Sequence, residues 1–173
     1  MSNKEAKGFA IWLTGIPASG KSTIAALLAN ELRANDRNVQ VLESDELREI
    51  ITPNPTYGED ERERFYNVLA YMGKMLVDNG VNVIFDATAN RKRYRDKAKV
   101  QIEKFFEVYV QCPADVCAER DPKGLYREAR DGKITTLPGT QTGYEPPDNP
   151  DVTIFSDRET PQEAAKKIIS KLF

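Results

Sequence analysis

The chain has no histidine among its 173 residues. That excludes a Ser-His-Asp triad, a Cys-His nucleophile pair and an imidazole base. Any acid–base work falls to carboxylates, lysine or tyrosine. Cysteine is scarce too. Cys112 and Cys117 do not form a C-x-x-C motif, and without histidine there is no zinc set to complete. Both read as small buried apolar residues. No apolar run approaches the roughly 20 residues that a spanning helix needs. Met1 to Lys7 is polar and lacks the apolar centre of a signal peptide, so a cytoplasmic location is expected. Nor does one charge dominate: 25 basic residues stand against 27 acidic ones, which gives no bulk attraction to nucleic acid or to an anionic membrane. Internal repeats and low-complexity tracts are missing as well.

What the chain does have is Gly15-Ile16-Pro17-Ala18-Ser19-Gly20-Lys21-Ser22. It fits the pattern G-x-x-x-x-G-K-[ST] at every fixed position. An apolar run, Phe9 to Leu13, precedes it as a strand, and Ile24, Leu27, Leu28 and Leu32 follow at helical spacing. The physical reading is a loop whose backbone N–H groups cradle phosphate oxygens at a helix N-terminus. Lys21 reaches the outer phosphates and the Ser22 hydroxyl ligates Mg²⁺. A nucleoside triphosphate and Mg²⁺ are therefore the expected ligands of this loop.

The rest of the chain alternates strands and helices. Strands are expected at Ala10 to Thr14, Val39 to Leu42, Val81 to Phe85, Phe105 to Val110 and Val152 to Phe155. Helical patterns run from Lys21 to Ala34, Asp45 to Ile51, Glu59 to Asp78, Arg91 to Lys104 and Ala114 to Arg120. Thr160-Pro161-Gln162-Glu163 opens the last helix with a capping box and a proline in its first turn. This is an α/β chain: a three-layer P-loop fold with a five-stranded parallel sheet and helices on both faces, in one domain spanning 1–173. A lid segment is expected at about 121–150.

Ligands in such sheets bind at the carboxyl ends of the strands. Asp45 and Arg48 follow the second strand. They read either as a base with an anion-holding arginine, or as a helix cap with a local ion pair. Asp86 ends the third strand. It reads either as an acid that helps hold Mg²⁺, directly or through water, or as a strand-end cap. Arg120, Lys123, Arg127 and Arg130 read either as cations closing over a phosphoryl group or as a solvated face. The basic stretch of Arg91, Lys92, Arg93, Arg95, Lys97 and Lys99 is first a solvated helix face.

Asp121-Pro122-Lys123-Gly124-Leu125-Tyr126, then Ala129-Arg130-x-Gly132-x-Ile134, Gly139 and Tyr144-Glu145-x-Pro147-x-Asn149-Pro150, resembles the lid region of adenylyl-sulfate kinases. Leu42-x-x-Asp45-x-x-Arg48, Glu61-Arg62 and Arg95-Asp96 fit the same family in order. The resemblance covers roughly residues 8–160. It implies phosphorylation of the ribose 3′-hydroxyl of adenylyl sulfate by ATP and Mg²⁺. Asp45 would be the base, with Lys21 and Lys123 on the transferring phosphates. Gly15, Ile16, Pro17, Ala18, Ser19, Gly20, Lys21, Ser22, Thr23 and Arg120 would serve ATP. Arg48 and Arg62 would hold the acceptor anion and Ser22 the metal; Asp86 joins Ser22 as a metal residue on its strand-end position alone. The resemblance also implies a homodimer.

The departures fall on the acceptor side. Glu43-Ser44-Asp45 stands where the family reads D-G-D. Phe65 replaces an expected asparagine, and Asn67 and Val68 replace arginines. Tyr57 and Leu137 replace the two phenylalanines that sandwich the acceptor base, and Asp86-Ala87-Thr88 replaces an I-S-P turn. The acceptor set is thus Asp45, Arg48, Tyr57, Arg62, Phe65 and Leu137. Another nucleotide-like acceptor, such as cytidine diphosphoramidate, is the runner-up. A nucleotide-binding module with no acceptor is the reading from a different class.

Overall fold

The computed structural model describes residues 7–173; the polar start of the chain, Met1 to Ala6, lies outside the described residues. The five strands are β1 (Ala10–Thr14), β2 (Val39–Glu43), β3 (Asn82–Asp86), β4 (Phe105–Gln111) and β5 (Val152–Phe155). They form one sheet in the order β2-β3-β1-β4-β5, with every neighbouring pair parallel. The helices are α1 (Lys21–Ala34), α2 (Ser44–Ile51), α3 (Glu59–Asp78), α4 (Lys92–Gln101), α5 (Ala114–Arg120), α6 (Leu125–Arg130) and α7 (Pro161–Leu172).

β1 is the central strand and is buried along its whole length, as a parallel strand covered on both faces should be. Its side chains alternate between two cores. Ile11 and Leu13 join Ile24, Leu28, Val110, Ile154 and Ile168 under α1 and α7. Ala10 and Trp12 join Phe65, Leu69, Phe85, Tyr94 and Ala98 under α3 and α4. A smaller third cluster, with Cys112, Cys117, Tyr126 and Leu137, fills the segment between β4 and β5. Both cysteines are buried free thiols there, and burial pushes the Cys117 thiol up to about 12.

Element ends follow local chemistry. At Thr160 the capping box is complete: its hydroxyl accepts from Glu163 N–H, and the Glu163 carboxylate returns to Thr160 N–H. The basic helix is shorter than its sequence pattern, ending at Gln101, because Ile102 turns inward to the core with extended backbone. Its charges are mostly a solvated face, with one exception. Arg95 is only 1 % exposed and donates to the Glu107 carboxylate and to the carbonyls of Ala89 and Glu145.

Three hydrogen bonds fix the turn after β3. Trp12 Nε1 donates to Ala87 O (3.0 Å), Thr14 Oγ1 to Thr88 O (2.7 Å), and Ala89 N to Tyr66 Oη (3.1 Å). The carboxyl edge of the sheet is thereby a defined rim: the 15–22 loop, the start of α2 and the 86–90 turn.

Candidate active site

Two cavities open on that rim. The first, of about 440 Å³, is lined by Pro17, Ala18, Gly20, Lys21, Ser22 and Thr23 on the phosphate loop. Opposite stand Glu43, Asp45 and Asp86, and Arg120, Lys123, Ser156 and Glu159 complete it. The second, of about 420 Å³, is lined by Asp45, Arg48, Tyr57, Arg62, Tyr66, Thr136 and Leu137. The two share Pro17, Ser44, Asp45, Thr88, Lys123 and Leu125. Asp45 therefore stands at their junction.

The phosphate loop is held open by its own lysine. Lys21 Nζ donates to Gly15 O (2.9 Å) and Ile16 O (3.1 Å). Desolvation lowers its pKa, and the negative charges of Asp86 and Asp45 act against that. Gly20 takes φ +98° as the N-cap of α1, and Ala18 takes φ +62° without being glycine. Left-handed residues turn successive N–H groups to one side, which is how an anion nest forms. Gly15, Ile16 and Ser19 shape this loop without lining the cavity, and Ser19 is fully buried.

Asp45 lies in the first turn of α2, yet it makes no ion pair with Arg48. Its Oδ2 accepts from Lys123 Nζ at 2.7 Å, across the rim. That hydrogen bond is the main reason the Lys123 ammonium is held above its usual range. Arg48 turns the other way, into the second cavity. It is 6 % exposed, with its guanidinium 3.8 Å from the Phe65 ring centroid and 3.5 Å from Glu61. Its Nη1 has no hydrogen-bond partner among the described residues. A buried guanidinium N–H without an acceptor is costly unless a ligand supplies one.

Asp86 is 4 % exposed and makes no side-chain hydrogen bond or ion pair among the described residues. It sits beside Glu43 in the β2–β3 register. Desolvation first, and then the Asp86 charge, push the Glu43 carboxyl up. Two neighbouring carboxylates facing the Ser22 side of the cavity are a donor set that a hard divalent cation would suit. No cluster of three or more ligating side chains exists among the described residues.

The 121–150 segment is seated on the site. Tyr126 Oη donates to Pro17 O (2.9 Å), and Tyr144 Oη and Thr14 Oγ1 share a hydrogen bond (3.0 Å). Asp121 accepts from the N–H groups of Tyr126 and Arg127 and so starts α6. Of the basic residues in this region, Arg120 and Lys123 line the cavities, whereas Arg127 and Arg130 do not. Arg120 is fixed by a bond to Ser156 O (2.6 Å).

One expected acceptor residue is misplaced. Phe65 is fully buried and does not line the second cavity. Its ring lies beneath Arg48, so it supports that arginine instead of meeting an acceptor. Tyr57 and Leu137 do line the cavity. Sequence reasoning missed Tyr66, which lines the same cavity but falls within the apolar pattern of a helix, and Thr88, which borders both cavities.

Known proteins resemble this chain along most of its length. The family described as adenylylsulphate kinase matches residues 7–155. A probable adenylyl-sulfate kinase of Pyrococcus abyssi is 42 % identical over 165 residues, covering 95 % of each chain. An adenylyl-sulfate kinase of Thermodesulfovibrio yellowstonii is 39 % identical, covering 94 % of this chain and 82 % of that one. Among solved structures, the Mycobacterium tuberculosis APS kinase CysC in complex with AMPPNP and APS superposes with a TM-score of 0.90 at 33 % identity. That match covers 96 % of this chain and 98 % of that one. The chain belongs to the adenylylsulphate kinase family.

Proposed function

We propose that this protein transfers the γ-phosphoryl group of ATP to the ribose 3′-hydroxyl of adenylyl sulfate, giving 3′-phosphoadenylyl sulfate and ADP. The observation that carries the reading is the meeting of two cavities at one carboxylate, Asp45. A module that only bound nucleotide would need the first cavity and not the second.

In this reading the first cavity takes ATP, with its phosphates against the loop amides and Lys21. Arg120 and the 156–161 turn hold the far end. The second cavity takes adenylyl sulfate, its base between Tyr57 and Leu137 and its anion on Arg48 and Arg62. Asp45 accepts the proton as the 3′-oxygen bonds to the γ-phosphorus and the bond to the β–γ bridging oxygen breaks. Lys123, now paired with Asp45, moves its charge to the transferring phosphoryl group, which frees the carboxylate. Ser22 and Asp86, the latter through water, would hold Mg²⁺, which supplies charge neutralisation on the β- and γ-phosphates. The remainder of the catalysis is in-line positioning and electrostatic stabilisation.

Coupled ADP release with adenylyl sulfate as acceptor tests this directly, with cytidine diphosphoramidate as a second arm. Release above the no-acceptor background, and a higher kcat/KM for adenylyl sulfate than for the cytidine compound, is expected. No release with adenylyl sulfate would refute the reading. The family also leads us to propose a cytoplasmic homodimer, for which sedimentation should return the mass of two chains.

A further inference from the structure

Glu61 does not line the acceptor cavity, yet it contacts two residues that do, Tyr57 and Arg48. It is the third residue of α3, a position from which glutamate ordinarily reaches back to the N-cap N–H. Here the N-cap is Gly58, and the carboxylate reaches past it. Oε2 accepts from Thr56 N (2.7 Å) and Thr56 Oγ1 (2.8 Å), while Oε1 accepts from Tyr57 N (3.1 Å). Desolvation works against its ionisation, but these bonds hold the carboxyl below its usual range.

The residue so gripped is under backbone strain. Tyr57 has φ +57°, a left-handed conformation that a β-carbon disfavours. From the other side its carbonyl accepts from Arg62 Nε at 2.8 Å. The Tyr57 ring is then held with the guanidinium carbons of Arg48 and Arg62 at 5.2 and 5.3 Å from its centroid. Arg62 Nη2 continues to Thr136 O (3.0 Å), beside Leu137 on the facing wall. Oε1 of Glu61 also lies 3.5 Å from Arg48 Nη1, the buried N–H with no acceptor of its own.

We propose that Glu61 is a positioning residue for the acceptor. By fixing the Thr56–Tyr57 backbone and the Arg48 guanidinium together, it sets the aromatic wall and the anion donor of the cavity without touching the acceptor. The proposal rests on the phosphoryl-transfer reading for its kinetic consequence, but not for its structural one.

The test is Glu61→Gln, which keeps the size of the side chain. It replaces one acceptor oxygen by an NH₂ group facing N–H donors, and removes the charge beside Arg48. In the free protein, amide hydrogen exchange at Thr56 and Tyr57 should accelerate. In turnover, KM for adenylyl sulfate should rise about 10- to 100-fold while KM for ATP and the saturated kcat hold steady, because the binding geometry of one substrate alone is loosened. Glu61→Asp, which keeps two acceptor oxygens and the charge, should recover part of the loss. Unchanged exchange at both amides, or KM rising equally for both substrates, would overturn the proposal. Failure of the unaltered enzyme to use adenylyl sulfate would instead refute the functional reading, and the exchange measurement would still decide the role of Glu61.

Discussion

Lys123 and Asp45, 78 residues apart in the chain, meet at 2.7 Å where the two cavities join. The pair is exposed on both sides, so as a surface ion pair it contributes little stability. In the proposed reaction its value lies in placing an acid and a cation on the path between nucleotide and acceptor. Replacing Asp45 by Asn keeps the shape and removes the proton acceptor. We expect kcat to fall by about 10²–10⁴-fold, the usual contribution of a positioned general base. ATP affinity, read by calorimetry, should stay close to that of the unaltered protein, since the phosphate loop is untouched. Turnover within a few-fold of the starting enzyme would remove Asp45 from the chemistry.

At Gly73, α3 packs directly on Phe85 of the sheet. A β-carbon there would stand 2.1 Å from Phe85 Cζ. Two effects of Gly73→Ala oppose each other. Helix propensity favours alanine by about 1 kcal/mol. Overpacking a filled core costs about 1–3 kcal/mol or more. The second should win, because Phe85 is fully buried and stacked on Trp12 with centroids 4.4 Å apart, leaving its ring nowhere to go. Thermal unfolding should show Tm lowered by about 2 to 8 °C. A Tm equal to or above that of the parent would show that the helix can lift away at no cost.

How much of this could be read from residues alone differs between the two substrates' sides. The nucleotide side was legible because its chemistry is local: one eight-residue loop, with its strand and helix, states the geometry by spacing. The five strands were legible for a similar reason, since each buried run is bounded by turn residues. The second cavity, the proposed acceptor side, is assembled from α2, the 52–58 loop, α3 and the 134–138 stretch, and no spacing records how these meet. Asp45 illustrates the limit. Sequence left it between a helix-end ion pair with Arg48 and a catalytic place. Tertiary packing removes the ion pair, by turning Arg48 onto Phe65 and offering Asp45 to Lys123. Phe65 illustrates it in reverse: position in a motif marked it as acceptor-facing, whereas the helix phase buries it. The burial of Arg95 was hidden by the run of surface cations around it, because its partner Glu107 lies on a strand 12 residues on.

Glu145 ties the 121–150 segment to the start of α4. Its carboxylate accepts from Lys92 N (2.8 Å) and Arg91 Nη1 (3.1 Å), and the backbone hydrogen bond from Lys92 is the main cause that holds its pKa below the usual 4.5. A carboxylate whose pKa is lower folded than unfolded binds fewer protons when folded. It therefore adds stability above its unfolded pKa, and loses it as pH falls through the folded value. Unfolding midpoints measured from about pH 6 down to about pH 3 should fall less steeply for Glu145→Gln than for the parent, the two curves converging at the acid end. Parallel curves would show that the ion cluster around Arg91 is not formed in solution.

The acceptor wall offers the most specific test. Tyr57 presents one aromatic face to the second cavity, and Leu137, only 4 % exposed, presents an aliphatic one. A base held between them gains stacking on one side and apolar contact on the other. Tyr57→Ala removes the stacking face without altering the sign of φ required at that position. By the scale of base–aromatic contacts, the loss should be about 1–3 kcal/mol, so KM for adenylyl sulfate should rise about 5- to 150-fold. KM for ATP should not move, because Tyr57 lies outside the first cavity. Tyr57→Phe should be nearly neutral, since the Tyr57 hydroxyl has no hydrogen bond to lose among the described residues. An effect of Tyr57→Phe as large as that of Tyr57→Ala would mean that the hydroxyl, not the ring, meets the acceptor, and the base would then have to be placed elsewhere in the cavity.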